Sequence, residues 1–139
     1  THYTFARLDQ HVASLTSRIN FTATRTLSLQ LYASPFVATG AYSHWKELDD
    51  PKAARYAGRY KAYAGGAPLG DFNFKEFRSN TVVRWEYRPG STLFFVWSQG
   101  RQQDGLNAGS FEASRDVRDL FRARPDNTLL VKASYWFSL

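Results

Sequence analysis

Strict alternation of apolar and polar residues over two neighbouring segments most limits how this chain can fold. In residues 13–23 the odd positions are Ala, Leu, Ser, Ile or Phe, and the even positions are Ser, Thr, Arg or Asn. Residues 27–37 repeat the alternation, with Leu, Ala, Pro and Val at the odd positions. A repeat of two residues is typical of a β-strand with one apolar face, whereas a helix repeats every 3.6 residues. The pattern therefore predicts two β-strands.

The three residues between these strands, 24–26, predict a hairpin. Turn length sets the register of a hairpin, and a slip of one residue would move every apolar side chain to the other face. A three-residue turn brings the two apolar faces together. The expected pairs are Ala23 with Leu27, Phe21 with Leu29 and Ile19 with Leu31.

Strand character also occurs in residues 3–8, 81–88, 92–100 and 128–139, and more weakly at Phe72 and Phe74. Pro89 and Gly90 predict a tight turn between two of these strands, because Pro presets φ and Gly adopts positive φ. Large side chains occupy both faces of the strand after this turn. The sequence therefore does not decide which of its two faces meets Trp85 and Tyr87.

Two long connections, about 39–70 and 102–127, are expected to be loops. In the first, Asp50 would cap a short helix that begins at Pro51. In the second, Ser114 would cap a helix over 114–123. The expected fold is one all-β domain over 1–139, an antiparallel up-and-down meander with short helices in its long loops.

Short turns alternate with long loops along the chain, an arrangement typical of outer-membrane β-barrels, whose tight turns face the periplasm. About five strands are long enough to cross a membrane, whereas a closed barrel needs at least about eight. The chain also begins at Thr1 without an initiator Met. We expect the C-terminal segment of a transmembrane β-barrel in the bacterial outer membrane. The N-terminal part of the same protein, or other chains, would complete it.

Aromatic residues make up 17% of the chain, and many fall near the ends of the predicted strands. Outer-membrane barrels carry aromatic girdles at both membrane interfaces. The predicted periplasmic girdle consists of Phe21, Trp85, Tyr87, Tyr135 and Phe137. The predicted girdle at the other end consists of Phe36, Tyr42, Trp45 and Trp97. Between the girdles, the apolar faces of the strands would contact outer-membrane lipid.

The polar faces of the strands would line the lumen of such a barrel. The candidate lumen or ligand-contact residues are Arg18, Gln30, Tyr32, Arg84, Glu86, Arg88 and Lys132. Cations outnumber anions in this set, which favours anionic or polyhydroxylated solutes. An alternative is that these side chains hydrogen-bond one another and stabilise the barrel wall or a plug.

The sequence does not predict an enzyme, a metal site or a cofactor. The chain has no Cys, and its three histidines lack the paired spacing of a zinc site: His2, His11 and His44. Four carboxylates could be considered as a catalytic pair: Asp49, Asp50, Asp116 and Asp119. A helix cap and a solvated helix face explain them more simply. No phosphate-binding glycine loop and no serine-nucleophile elbow occurs in the sequence.

Two alternatives to a membrane barrel remain. The net charge of +6 and the interleaved aromatic residues are also features of proteins that bind single-stranded nucleic acid. The basic residues are dispersed, however, so a nucleic-acid partner is not expected. The other alternative is a soluble all-β domain that binds a ligand such as a saccharide, with its apolar face packed on a core.

Four segments resemble a family of large bacterial envelope proteins: residues 27–36, 83–92, 119–121 and 131–136. The Arg-Trp-Glu-Tyr-Arg-Pro-Gly-Ser run at 84–91 is the most specific of these similarities. Members of the family carry an N-terminal domain similar to family 9 carbohydrate-binding modules and a barrel-like C-terminal domain of unknown function. The resemblance implies a barrel that acts as a pore or as the membrane anchor of a carbohydrate-binding module.

Overall fold

The structure, a computed structural model, describes residues 2–137 as a seven-stranded sheet with one α-helix. The strands are β1 (Thr4–Ser14), β2 (Ser17–Thr22), β3 (Leu27–Leu48), β4 (Tyr60–Ala62), β5 (Phe72–Arg88), β6 (Ser91–Asp104) and β7 (Asp126–Ser134), and helix α1 spans Ala113–Arg122. The prediction of an all-β meander is confirmed as a mainly antiparallel sheet with one helix. Across the described residues the sheet is open, with the order β1-β3-β5-β6-β7 and with β2 and β4 each paired to β3.

The hairpin between β2 and β3 has the expected register. Ile19 pairs with Leu31 and Phe21 pairs with Leu29 in an antiparallel ladder. The turn is closed by a 3.0 Å hydrogen bond from the amide of Ala23 to the carbonyl of Leu27. The alternating pattern and the turn length were therefore sufficient to define this element.

The predicted turn between β5 and β6 is also confirmed, because Pro89 and Gly90 are the two residues between these strands. Gly90 has φ of 76°, in the left-handed region. In the antiparallel register of β6 with β7, Phe95 and Trp97 pair with Val131 and Leu129, and Phe94 and Val96 pair with Lys132 and Leu130. Both faces of β6 therefore carry large apolar side chains, as the sequence indicates.

The expected loop over 39–70 differs from the structure, because β3 continues to Leu48 and β4 pairs with its end. The strand lacks alternation here because positions 37–40 are all buried, so neither face needs to be polar. A side chain at Gly40 would collide with the Phe72 ring. The second expected loop, over 102–127, contains the end of β6, helix α1 and the start of β7.

The helix expected from Pro51 is wrong. The carboxylate of Asp50 instead accepts a 2.9 Å hydrogen bond from the amide of Lys52 in a turn. A single 3₁₀ turn, Tyr56–Arg59, follows. Pairing of the next residues with β3 draws this segment into the sheet.

The helix expected over 114–123 is confirmed as α1, with Ser114 inside its first turn and not at its N-cap. The last expected strand is shorter than predicted, because β7 ends at Ser134. The amide of Trp136 donates a 3.0 Å hydrogen bond to the Ser91 hydroxyl, outside the strand ladder. The end of that expected strand, residues 138–139, lies outside the described residues.

The described chain divides into two compact units. Unit 1 comprises residues 2–12, 38–74 and 104–112, and unit 2 comprises residues 13–37, 75–103 and 113–137. Strands β1, β3, β5 and β6 each contribute residues to both units. The expectation of one β domain over 1–139 stays a prediction.

Unit 1 is held by polar groups at the start of β5. The fully buried amide of Asn73 donates to the carbonyl oxygens of Asn107, at 3.2 Å, and Ser110, at 3.0 Å. The carboxylate of Asp71 accepts a 2.8 Å hydrogen bond from the amide of Tyr42. These bonds attach the loop after β6 and the adjacent part of β3 to β5.

Ion pairs join β4 to the end of β3 in the same unit. The Lys61 ammonium lies 2.9 Å from Asp49 and 3.5 Å from Glu47. The hydrogen bond and charge of Asp49, with a further contribution from Glu47, raise the pKa of Lys61 above its ordinary value. Because folding raises this pKa, the stabilisation is present at neutral pH and is lost as pH rises through the folded-state value.

Helix α1 packs on the sheet in unit 2. Leu120 is fully buried, and the Phe121 ring lies 5.1 Å from the Phe77 ring of β5. The Lys75 ammonium lies 3.4 Å from the Asp116 carboxylate, and both side chains are fully buried. An apolar contact and an ion pair therefore attach the helix to β5.

Few apolar side chains are buried in the described chain. Between residues 2 and 137, the buried apolar residues are Val37, Ala38 and Leu120. Large apolar side chains of soluble domains are usually found in a core. Among those on the described strands Val37 is buried, and the others are half-buried or exposed.

Candidate functional site

The strands of unit 2 carry a set of exposed apolar side chains at odd-numbered positions, here called the apolar face. It consists of Ile19, Phe21, Trp85, Tyr87, Phe95, Trp97, Leu129 and Val131. Their exposed fractions run from 37% for Tyr87 to 63% for Leu129. All have odd numbers, and successive side chains of a strand point to opposite faces. Within each strand, these side chains therefore share one face.

Four members of the predicted periplasmic girdle form two ring pairs. The Trp85 and Tyr87 rings are 6.0 Å apart, and the Tyr135 and Phe137 rings are 6.4 Å apart. The Arg88 guanidinium at the β5–β6 turn donates a 3.1 Å hydrogen bond to the Tyr135 hydroxyl. Phe21, the fifth predicted member, is 56% exposed near the β2–β3 turn.

The other predicted girdle divides between the two units. In unit 1, the Tyr42 and Trp45 rings lie 5.7 Å apart. In unit 2, the indole of Trp97 donates a 3.0 Å hydrogen bond to the Asn127 side chain, and Phe36 is half-buried. The contact between Tyr42 and Trp45 therefore lies within unit 1, whereas Trp97 and Phe36 belong to unit 2.

The opposite face of the same strands, here called the polar face, contains two adjoining cavities. The larger, of about 580 Å³, is lined by Tyr32, Glu76, Arg78, Ser79, Asn80, Ser98, Gln99, Gly100, Arg101, Gln102, Asp126 and Thr128. The smaller, of about 250 Å³, is lined by Arg18, Asn20, Gln30, Leu31, Tyr32, Asn80 and Val82. Tyr32 and Asn80 line both cavities.

The structure brings three of the predicted lumen residues together. Arg18, Gln30 and Tyr32 all line the smaller cavity. The guanidinium carbon of Arg18 lies 5.5 Å from the centre of the Tyr32 ring, a cation–π contact. This contact links β2 to β3 on the polar face.

The other predicted lumen residues lie toward the β5–β6 turn. The Arg84 guanidinium lies 3.8 Å from the Glu86 carboxylate, which also accepts a 3.1 Å hydrogen bond from the amide of Gly90. Lys132 pairs in register with Phe94. Arg88 contacts the girdle residue Tyr135, so the structure places it apart from both cavities.

Sequence reasoning missed most residues of the larger cavity. Those on β5 precede residue 81, where the predicted strand began, and Asp126 precedes the predicted start of β7. Those on β6 were not assigned because both faces of that strand carry large residues. The sequence did contain a signal for two of them. Arg78 and Asn80 are even-numbered polar residues, as are Arg84 and Glu86 further along β5.

Charges in the larger cavity are nearly balanced. The Arg78 guanidinium lies 2.6 Å from the Glu76 carboxylate. The Arg101 guanidinium is directed to the end of α1, where it bonds the carbonyl oxygens of Phe121 and Ala123. The cavity is therefore suited to polar contacts more than to the binding of a highly charged ligand.

The carboxylates considered for catalysis have other contacts. Asp116 is buried against Lys75 in unit 2, and Asp49 lies against Lys61 in unit 1. Within residues 2–137, no group of three or more His, Cys, Asp or Glu side chains is arranged to hold a metal ion. The expectation that the chain is not an enzyme stays a prediction.

The three histidines lie in unit 1. His2 contacts the Glu47 carboxylate at 3.2 Å, and His44 contacts the neighbouring Ser43 hydroxyl at 3.0 Å. The ring of His11 stacks on Phe111, with the ring centres 5.9 Å apart.

Between residues 2 and 137, no helix has both the length and the apolar content needed to cross a membrane. Comparison with curated proteins and with solved structures found no match to the chain. The model of one family, described as a domain of unknown function (DUF5916), matches residues 1–138. Because this match covers almost the whole sequence, the chain belongs to the DUF5916 family.

Proposed function

We propose that this DUF5916 chain forms part of the wall of a bacterial outer-membrane β-barrel, which acts as a pore or as the membrane anchor of a carbohydrate-binding module. The observation that carries the proposal is the apolar face. Fully burying a Leu, Ile or Phe side chain is worth about 1.5–3 kcal/mol relative to exposure to water. Lipid would supply that burial for all members of the apolar face at once.

The exposed edges of the sheet support the same proposal. Within unit 2 the strand order is β2-β3-β5-β6-β7, so β2 and β7 are edge strands. Every residue of β7 is exposed, including Leu129, Leu130 and Val131 at 58–63%. A long apolar edge invites pairing with another strand, and unpaired backbone groups are very costly in lipid. The proposed partner is the remainder of the barrel.

The distribution of charge fits a barrel wall as well. Arg18 and Arg78 line the two cavities, and on β5 Arg84 and Glu86 alternate with Trp85 and Tyr87. A charged side chain facing lipid near the bilayer centre costs about 2–4 kcal/mol. Such charges are tolerated when they face an aqueous lumen. The paired aromatic rings near the β5–β6 turn would then lie at one membrane interface.

A soluble ligand-binding domain is the second candidate, favoured by the 580 Å³ cavity of the polar face. In that case the apolar face would pack on another part of the protein. Neither proposal includes catalysis, a cofactor, a metal or a nucleic-acid partner.

Two neighbouring residues of β7 allow a direct test, because Leu129 belongs to the apolar face and Thr128 lines the larger cavity. The sequence has no Cys, so Leu129→Cys and Thr128→Cys each create one labelling site. The full protein carrying one polarity-sensitive fluorophore is reconstituted into phosphatidylcholine vesicles. Quenching is then compared between brominated acyl chains and aqueous iodide.

The expected result is quenching at position 129 by the brominated acyl chains and at position 128 by iodide. Iodide quenching at both positions, with no effect of the brominated lipid, would contradict a membrane location and favour the soluble alternative. Both substituted residues are exposed on an edge strand, so neither variant removes a buried contact.

A further inference from the structure

The larger cavity of the polar face lies over a glycine in the middle of a strand. Gly100 pairs with Asp126 in the β6–β7 ladder and lines the cavity. A Cβ atom built at Gly100 would meet nothing within 4 Å, and its φ lies outside the left-handed region. Neither crowding nor backbone conformation therefore requires glycine here. Glycine inside a strand often marks a bulge, a tight bend, or a site where a ligand or another backbone approaches closely.

The side chains around this glycine are mainly neutral donors and acceptors. The hydroxyl of Ser98 donates a 3.1 Å hydrogen bond to the side-chain oxygen of Asn80. Gln102 and Thr128 add an amide and a hydroxyl to the same lining. Each of these groups can both donate and accept a hydrogen bond, as a ligand hydroxyl does.

Charge in the cavity argues against an anionic ligand. The lining contains two carboxylates, Glu76 and Asp126. The Arg78 guanidinium is already paired with Glu76 at 2.6 Å. The other lining guanidinium, Arg101, bonds carbonyl groups at the end of α1. An anion would therefore compete with Glu76 for Arg78 and would meet a second carboxylate at Asp126.

Tyr32 supplies an aromatic ring at the border of the cavity. The ring is half-buried between the two cavities and has the Arg18 guanidinium 5.5 Å from its centre. An aromatic ring beside several hydrogen-bonding groups suits a ligand with one apolar and several polar surfaces.

We propose that the cavity over Gly100 is a binding site for a neutral saccharide. Its sugar ring would contact Tyr32, and its hydroxyl groups would bond Asn80, Gln102 and Asp126. The volume of about 580 Å³ falls within the range of small-molecule sites, about 300–1,000 Å³. The inference goes beyond the proposed barrel, because it concerns the polar face alone and holds whether or not the apolar face contacts lipid.

The test is to fill the cavity in one variant and to remove its aromatic ring in another. The full protein, in detergent, is titrated with neutral cellotriose, mannotriose and xylotriose, and with anionic trigalacturonate, by isothermal calorimetry. Gly100→Trp places a large side chain where a Cβ meets no neighbour. Tyr32→Ala removes the ring, and Lys132→Gln is the matched control outside the cavity. Circular dichroism checks that each variant has the spectrum of the unsubstituted protein.

The expected result is binding of at least one neutral trisaccharide, weakened about tenfold or more by Gly100→Trp and by Tyr32→Ala and unchanged by Lys132→Gln. If Gly100→Trp loses the native spectrum, the affinity of the Tyr32→Ala variant alone tests the proposal. Binding of trigalacturonate only, equal affinity in the cavity variants, or no binding of any neutral probe would overturn the proposal. None of these outcomes bears on whether the protein inserts into a membrane.

Discussion

Lys75 on β5 and Asp116 on α1 form the most deeply buried charge pair described in unit 2, with both side chains fully buried. The Asp116 carboxylate also lies 3.3 Å from the Arg115 guanidinium, which is partly exposed. Removing one partner of a buried pair leaves a charge without compensation, whereas replacing both with apolar groups is often well tolerated. The pair therefore makes the position of α1 sensitive to single substitutions.

We predict that Asp116→Ala lowers the free energy of unfolding by about 3–5 kcal/mol, because it removes the carboxylate 3.4 Å from the buried Lys75 ammonium and leaves a cavity in its place. Arg118→Ala, at an exposed position of the same helix, should change it by no more than about 0.5 kcal/mol. Chemical denaturation of the full protein measures both. The double variant Lys75→Met/Asp116→Leu should recover much of the loss. Equal stability of the Asp116 and Arg118 variants would argue against a structural role for the pair.

At the scale of elements, the β5–β6 turn and strand β7 differ in what fixes their conformation. The turn needs Gly90, whose φ is 76° and whose position lies against Trp136. Strand β7 has one ladder, to β6, and its other side is an edge. The turn is therefore defined by local conformation, whereas β7 depends on what pairs with it.

We predict that Gly90→Ala lowers the free energy of unfolding by about 1–3 kcal/mol, because alanine is strained at positive φ. The added Cβ would also lie 3.1 Å from the Cβ of Trp136. Gly100→Ala should instead raise stability, by up to about 1 kcal/mol, since that backbone accepts any residue and has free space. Thermal or chemical denaturation measures whether each variant is less stable or more stable than the unsubstituted protein. The prediction is wrong if the two alanines have the same effect.

Hydrogen exchange should reveal whether β7 has a second partner. In an antiparallel edge strand, alternate amides point away from the single neighbouring strand and exchange readily. If another strand pairs with β7 in the assembled protein, the amides of 127–134 should all be protected. The comparison strand is β6, which has neighbours on both sides. Alternating protection along β7 would mean that the edge stays free and would count against a completed barrel.

Considered as a whole, the described chain leaves the side chains of the apolar face exposed and buries few residues of any kind. Its net charge of +6 resides on dispersed Lys and Arg residues. Exposed apolar patches of this extent usually mark a surface that meets lipid or another protein. The behaviour of the whole molecule should therefore depend on which face receives a new charge.

We predict that Leu29→Arg prevents assembly into the outer membrane, whereas Gln30→Arg is tolerated. Leu29 shares the odd-numbered face and pairs with Phe21, and Gln30 lines the smaller cavity of the polar face. An arginine facing lipid near the bilayer centre costs about 2–4 kcal/mol. Fractionation of cell envelopes, followed by a test for heat-modifiable migration in gels, measures assembly. Equal tolerance of the two variants would contradict the assignment of the faces.

Local features of this fold were predictable from the sequence. The pairing of Phe21 with Leu29 follows from an alternating pattern and a three-residue turn, which are properties of neighbouring residues. The turn at Gly90 and helix α1 were also anticipated, because turn chemistry and helical spacing are short-range signals. The expected helix at Pro51 was wrong, since pairing of Tyr60 with the end of β3 outweighs a local preference.

The sequence by itself determined that the chain forms amphipathic strands, which side chains share a strand face, and the register of the first hairpin. Only the tertiary structure decided that β3 reaches Leu48, that Lys75 meets Asp116, and that Tyr32, Asn80 and Asp126 border one cavity. Those three cavity residues lie on β3, β5 and β7, far apart in the chain. Pairing between distant strands is set by the whole sheet, so no local pattern specifies which polar side chains come together.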